Sequence, residues 1–112
     1  MKRLLISGFA VAVVLIAGTA RAQDAAKGQQ VFADQKCSMC HAIDGKGNAK
    51  GPLDSVGTKL TAAQIRQWIT EPAAMAAKAK ADRKPPMPAK YAALPKADLD
   101  NLVAYLSSLK KK

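Results

Sequence analysis

The 112-residue sequence is short of aromatic side chains, histidine and cysteine. Aromatic residues make up 4% of it, too few to build a rich hydrophobic core unaided. Because there are only two cysteines and one histidine, the four ligands of a structural zinc site cannot easily be assembled. Acidic residues are also scarce, with 8 Asp and Glu against 18 Lys and Arg, so the net charge is +10.

Long apolar runs are lacking as well, and the one at residues 4–17 is shorter than the roughly 20 residues that span a bilayer. Two basic residues precede this run, and an Ala-Arg-Ala triplet follows it at residues 20–22. A permanent membrane anchor is the alternative, but the pattern is typical of a cleaved secretory signal peptide. We expect a signal peptide at residues 1–22 and one exported, periplasmic domain at residues 23–112.

The most specific motif in the chain is Cys37-Ser38-Met39-Cys40-His41. Two thiols three positions apart, followed directly by a histidine, are typical of the attachment site of a c-type haem. This spacing lets both sulfurs reach the porphyrin vinyl groups, and lets the histidine bind the iron from below the ring. A thioredoxin-like redox pair and a plain disulfide are the alternatives, although no strand signal precedes the motif as a thioredoxin-like site requires.

With this motif the chain resembles the small, soluble, mono-haem class I cytochromes c of bacteria. The resemblance implies an all-α, cytochrome c-like fold of three to five helices wrapped around one covalently attached haem c. It implies thioether links at Cys37 and Cys40, and His41 as one axial ligand of the iron. It also implies that the carbonyl of Pro52 accepts the outer N–H of His41. The alternative for Pro52 is an ordinary turn proline.

Helical spacing and capping residues predict helices over residues 25–35, 61–70, 72–81 and 96–109. Five glycine and proline residues within residues 42–59 predict irregular backbone there. The family resemblance further implies that Gly28 and Phe32 of the first helix pack against Tyr105 of the last. Trp68 faces inward and suits the haem pocket, and the alternative is an ordinary core tryptophan.

The second axial ligand decides whether such a haem carries electrons or binds gases. A second histidine is lacking, which leaves three methionines outside the predicted signal peptide. Met39 lies inside the attachment motif and Met75 lies in a predicted helix, whereas Met87 lies between prolines on an extended segment. Met87 also matches the position of the family's methionine ligand, so we predict it as the second axial ligand. An open or exchangeable site is the alternative, as in a haem enzyme subunit or a gas-binding haem domain.

These residues predict a single-electron carrier and not an enzyme, because both axial positions are filled by the protein. Removal of residues 1–22 would leave 15 Lys and Arg against 8 Asp and Glu, so the exported domain would carry +7. This charge favours redox partner proteins with acidic docking surfaces. The same charge suits nucleic acid or anionic lipid. Export and the lack of interleaved aromatics argue against nucleic acid, and we expect membrane contact to be peripheral at most.

Overall fold

The computed structural model describes residues 24–111, and its α-helices confirm the predicted all-α class. In chain order they are α1 (Ala25–Asp34), α2 (Val56–Lys59), α3 (Ala62–Thr70), α4 (Pro72–Ala79) and α5 (Lys96–Ser107). Two 3-10 helices lie at Cys37–Met39 and Ala89–Ala93, and β1 (Ala42–Ile43) pairs antiparallel with β2 (Lys46–Gly47). The predicted signal peptide lies outside the described residues.

The helix starts follow the capping signals in the sequence. The Asp24 side chain accepts a hydrogen bond from the Lys27 backbone N–H at 3.1 Å and caps α1. At α3, Thr61 and Gln64 form a reciprocal capping box, with the two hydrogen bonds at 2.9 and 3.2 Å. Pro72 occupies the first turn of α4, where its missing N–H costs nothing.

The prediction of irregular backbone over residues 42–59 is wrong in two places, since the structure has a small hairpin and the one-turn helix α2 there. Asp44 and Gly45 both have positive φ, 52° and 78°, as a two-residue hairpin turn requires. The turn residues that suggested a loop therefore connect two short strands. The last helix also ends at Ser107, two residues before the predicted end.

Helices α1 and α5 cross in direct contact, and this crossing confirms the predicted packing of Gly28, Phe32 and Tyr105. A Cβ atom at Gly28 would collide with the Asn101 carbonyl and lie 2.6 Å from the Tyr105 Cβ. The Phe32 and Tyr105 rings meet edge to face, with centroids 5.9 Å apart. The two backbones can approach this closely because residue 28 has no side chain.

Gly28→Ala is therefore expected to destabilise the protein, although helix propensity alone predicts the opposite. In an exposed helix, Gly to Ala stabilises by about 1 kcal/mol. Here the added methyl must push α5 away, and overpacking of this kind costs about 1–3 kcal/mol. Chemical denaturation measures the change, with Gln29→Ala on the exposed side of α1 as the control. A more stable Gly28→Ala protein would show that the two helices are not in contact.

Helix α3 packs on α5 and helps to form the core. The Arg66 guanidinium pairs with Asp100 at 2.5 Å, and Lys96 reaches the same carboxylate at 3.0 Å. Hydrogen bonds from Lys96 and Arg66 lower the pKa of Asp100. The buried apolar side chains of these two helices are Ile65, Ile69, Leu99, Leu102, Val103 and Leu106. Within residues 24–111, none of the helices is both long and apolar enough to cross a bilayer.

Candidate functional site

A cavity of about 200 Å³ opens between α1, α3 and α5. Its wall is almost wholly apolar, and it includes four of the predicted site residues, Cys37, His41, Trp68 and Met87. Cys40 is half-buried directly after the 3-10 helix that begins at Cys37. The fold therefore brings an imidazole, a thiol, an indole and a thioether from distant parts of the sequence to one apolar space.

His41 is oriented by a backbone carbonyl, but not by the predicted one. Its Nδ1 lies 3.1 Å from the carbonyl oxygen of Gly51, which also accepts a hydrogen bond from the Ala42 N–H at 3.0 Å. The prediction that the Pro52 carbonyl accepts this hydrogen bond is therefore wrong by one residue. Pro52 is exposed and bridges to Ala42 through its backbone, so the carbonyl that points at the imidazole comes from the residue before it.

The surroundings of His41 favour a neutral imidazole, the form that binds metals. Burial lowers the pKa of His41, and the positive charge of Arg83 lowers it further, against a smaller increase from the Gly51 hydrogen bond. When Nδ1 donates to Gly51, Nε2 keeps its lone pair for a metal ion. The site therefore holds the ring in the tautomer that an axial iron ligand needs.

The environment of Cys37 does not resemble that of a redox-active thiol. Burial raises the pKa of Cys37 to about 11, and the neighbouring Cys40 also acts to raise it. Reactive cysteines of thioredoxin-like motifs have a lowered pKa, because their thiolate is stabilised. A thioether has no proton to lose and is compatible with an apolar wall. This difference favours covalent attachment of an apolar group over thiol–disulfide chemistry.

The three methionines within residues 24–111 lie in different surroundings. Met39 is 71% exposed, and Met75 lies on α4 away from the cavity wall. Met87 is half-buried against the hydrophobic core and lines the cavity. In the sequence, these methionines differ as candidate ligands only in their position along the chain. In the structure, they also differ in whether they line the cavity. Met87 as an iron ligand stays a prediction.

Trp68 is half-buried in the cavity wall, so its indole is placed to contact a bound group. Two further residues at the site were missed by the sequence reasoning. Tyr91 is buried in the wall, and its hydroxyl donates to the Gln35 carbonyl at 3.4 Å. Arg83 donates to the Cys40 carbonyl at 2.6 Å. Neither lies in a long periodic segment, so no signal in the sequence indicated either position.

The chain's residues fit a c-type haem. The cavity offers an apolar wall for a flat macrocycle, with Cys37 in that wall and Cys40 three residues further along the chain. It also offers nitrogen and thioether donors of the kind that haem iron accepts. In the part of the chain that the structure describes, no three His, Cys, Asp or Glu side chains cluster as a metal site. A hard-cation site built from carboxylates is therefore not formed by these residues.

Comparison with known proteins agrees with this geometry. The family model described as Cytochrome c matches residues 25–110. Cytochrome c oxidase subunit 2 of Alkalihalophilus pseudofirmus is 33% identical over 93 residues, a match that covers 75% of this chain and 25% of that protein. The chain thus spans about a quarter of the length of this curated relative. No solved structure matches the chain.

Proposed function

The chain belongs to the cytochrome c family, and from this membership we propose that it is a periplasmic carrier that passes single electrons between larger redox proteins. Membership of the family implies haem-based electron transfer. The observation that carries the finer proposal is the shared cavity of Cys37, His41 and Met87. A single haem c, when bound there, supplies a one-electron iron couple.

Each of the predicted site residues has its own role in binding the haem. Cys37 and Cys40 would form the thioether links, and His41, with its ring fixed by the Gly51 carbonyl, would bind the iron. Met87 would supply the second protein ligand of the iron. Trp68 contributes to the pocket wall beside the ring. Contact between Pro52 and the haem remains part of the proposal, although its carbonyl does not orient His41.

The same residues favour electron transfer over catalysis. A thioether is a soft, neutral ligand that favours ferrous iron, so ligation by His41 and Met87 would raise the reduction potential of a bound haem. The apolar wall keeps water away and disfavours the additional charge of the ferric state, which acts in the same direction. With His41 and Met87 both bound to the iron, no position would be left for oxygen, and little would have to move when an electron arrives.

The charge of the chain defines the partners that we propose. Without residues 1–22 the chain has 15 Lys and Arg against 8 Asp and Glu, a net charge of +7. This charge favours redox proteins with acidic docking surfaces, and the attraction speeds their association at low salt. We propose no nucleic-acid partner and at most peripheral membrane contact. Cleavage of residues 1–22 and export to the periplasm belong to the same proposal.

Carbon monoxide tests the carrier proposal directly. The exported protein is reduced and its absorption spectrum is recorded before and after addition of the gas. A protein whose iron already holds Met87 is expected to keep its spectrum, because the sixth position is filled. Rapid and complete binding of carbon monoxide would contradict the carrier proposal. A pyridine haemochrome assay on the same sample checks that haem c is present.

A haem enzyme subunit is the second candidate, favoured by the 33% identity to a protein described as an oxidase subunit. In that case the domain delivers electrons inside a larger assembly and does not diffuse between partners. The native mass of the protein isolated from its own cell separates the two. A free domain of about its own mass supports the carrier, and a stable larger complex supports the subunit.

A further inference from the structure

The segment that carries Met87 has few attachments to the rest of the fold. It runs from the end of α4 to the 3-10 helix Ala89–Ala93 and has no regular secondary structure. Within residues 24–111, no backbone hydrogen bond ties residues 82–86 to another part of the chain. The side chains of this segment must therefore determine where Met87 lies.

Arg83 makes the polar attachment of this segment. Its Nη2 donates to the carbonyl oxygen of Cys40 at 2.6 Å, across 43 positions of the sequence. The guanidinium also lies on the backbone of Gly51, where a Cβ atom would meet Nη1 and lie 2.9 Å from Cζ. Arg83 thus contacts the attachment motif and also the residue whose carbonyl orients His41.

The prolines next to Met87 allow the attachment at Arg83 to limit the position of Met87. Arg83 lies four residues before Met87, and three of the residues at positions 85–88 are proline. Proline fixes one backbone dihedral angle and stiffens an extended segment. Holding the segment at Arg83 therefore restricts where the Met87 side chain can reach at the other end.

We propose that Arg83 is a positioning residue, which fastens the Met87 segment to the Cys40 carbonyl and so holds the Met87 thioether at the iron. This inference rests on the proposed function, because it takes Met87 as a ligand. Arg83 acts through Met87 and does not itself bind the iron. Without the guanidinium, the segment moves more freely, and an external ligand competes more easily with the thioether.

Imidazole binding to the oxidised holoprotein tests the inference, with Arg83→Gln as the variant and Lys84→Gln as its matched control. Lys84 is the exposed next residue, and its replacement removes the same charge. We expect Arg83→Gln to raise the imidazole affinity roughly three- to tenfold, as loss of an exposed charge-assisted hydrogen bond allows. Lys84→Gln is expected to leave it unchanged. Equal affinities in the two variants would overturn the inference.

A second measurement separates positioning from a general effect of charge. Backbone NMR order parameters of residues 82–84 and Met87 are expected to be lower in Arg83→Gln than in Lys84→Gln, because they report motion of amides that make no hydrogen bonds. Arg83→Lys keeps the charge, but an ammonium lacks the planar fork of guanidinium. Its imidazole affinity is therefore expected to lie between that of the unmodified protein and that of Arg83→Gln. If Arg83→Gln does not yield folded protein, Arg83→Lys replaces it in both measurements. Unchanged order parameters and unchanged imidazole affinity in that variant would then overturn the inference.

Met87→Ala distinguishes failure of this inference from failure of the proposed ligand. If Met87→Ala binds imidazole much more tightly while Arg83→Gln matches Lys84→Gln, the ligand assignment stands and only the role of Arg83 is wrong. If Met87→Ala binds imidazole as the unmodified protein does, the ligand assignment fails, and the inference about Arg83 fails with it.

Discussion

Met87→Ala is expected to lower the reduction potential of the haem by on the order of 0.1 V, within the ≈ 0.8 V range over which axial ligands set potentials. The thioether stabilises ferrous iron, so its loss makes reduction less favourable. The variant also leaves one axial position open, and the reduced protein should then bind carbon monoxide. Redox titration and absorption spectra measure the two effects.

Met75→Ala is the matched control for this experiment. It removes the same side chain from α4, outside the cavity wall, and is expected to change neither the potential nor the binding of carbon monoxide. Met39→Ala, on the exposed side of the attachment motif, serves as a second control. A potential and spectrum unchanged by Met87→Ala would show that another group holds the sixth position.

Replacing both Cys37 and Cys40 by alanine is expected to abolish covalent attachment of haem and to destabilise the domain strongly. The cavity of about 200 Å³ then has nothing fixed inside it. At ~24 cal/mol per Å³, an enclosed cavity of this size costs about 5 kcal/mol, which is an upper bound here because the cavity is partly open to solvent. The intact mass of the exported protein reports the attachment, and thermal unfolding reports the stability.

Ser38→Ala is the control for the cysteine variant. It changes an exposed residue between the two cysteines and keeps both sulfurs, so its haem content and unfolding temperature should match the unmodified protein. The cysteine variant should weigh no more than its bare polypeptide. Retention of covalently bound haem in that variant would mean that the motif at residues 37–41 is not the attachment site.

Local features of the sequence were sufficient to predict much of the fold. Capping at Thr61 and Gln64 depends on residues three positions apart, so it can be read without tertiary structure. The same holds for the spacing of Cys37, Cys40 and His41, which is fixed by the covalent chain. The contact of Gly28 with Tyr105 is long-range, and it was predicted only because the chain resembles a family that has it.

The hydrogen-bond partners at the site could not be predicted from the sequence, because they depend on where two separate segments of backbone meet. The carbonyl that faces His41 belongs to Gly51, one residue before the predicted Pro52. Neither the composition nor the periodicity of the sequence distinguishes between two adjacent carbonyls. Arg83 reaches Cys40 from an extended segment, where no helical or strand pattern indicates which way a side chain points.

By itself, the sequence determined the attachment motif, the helices and the short list of candidate iron ligands, because each depends on residue type and on spacing along a few turns of chain. The tertiary structure decided which methionine lines the cavity, which carbonyl orients His41, and which side chain fastens the Met87 segment. Those choices arise from packing between segments ten or more residues apart. Only the folded chain brings such segments together.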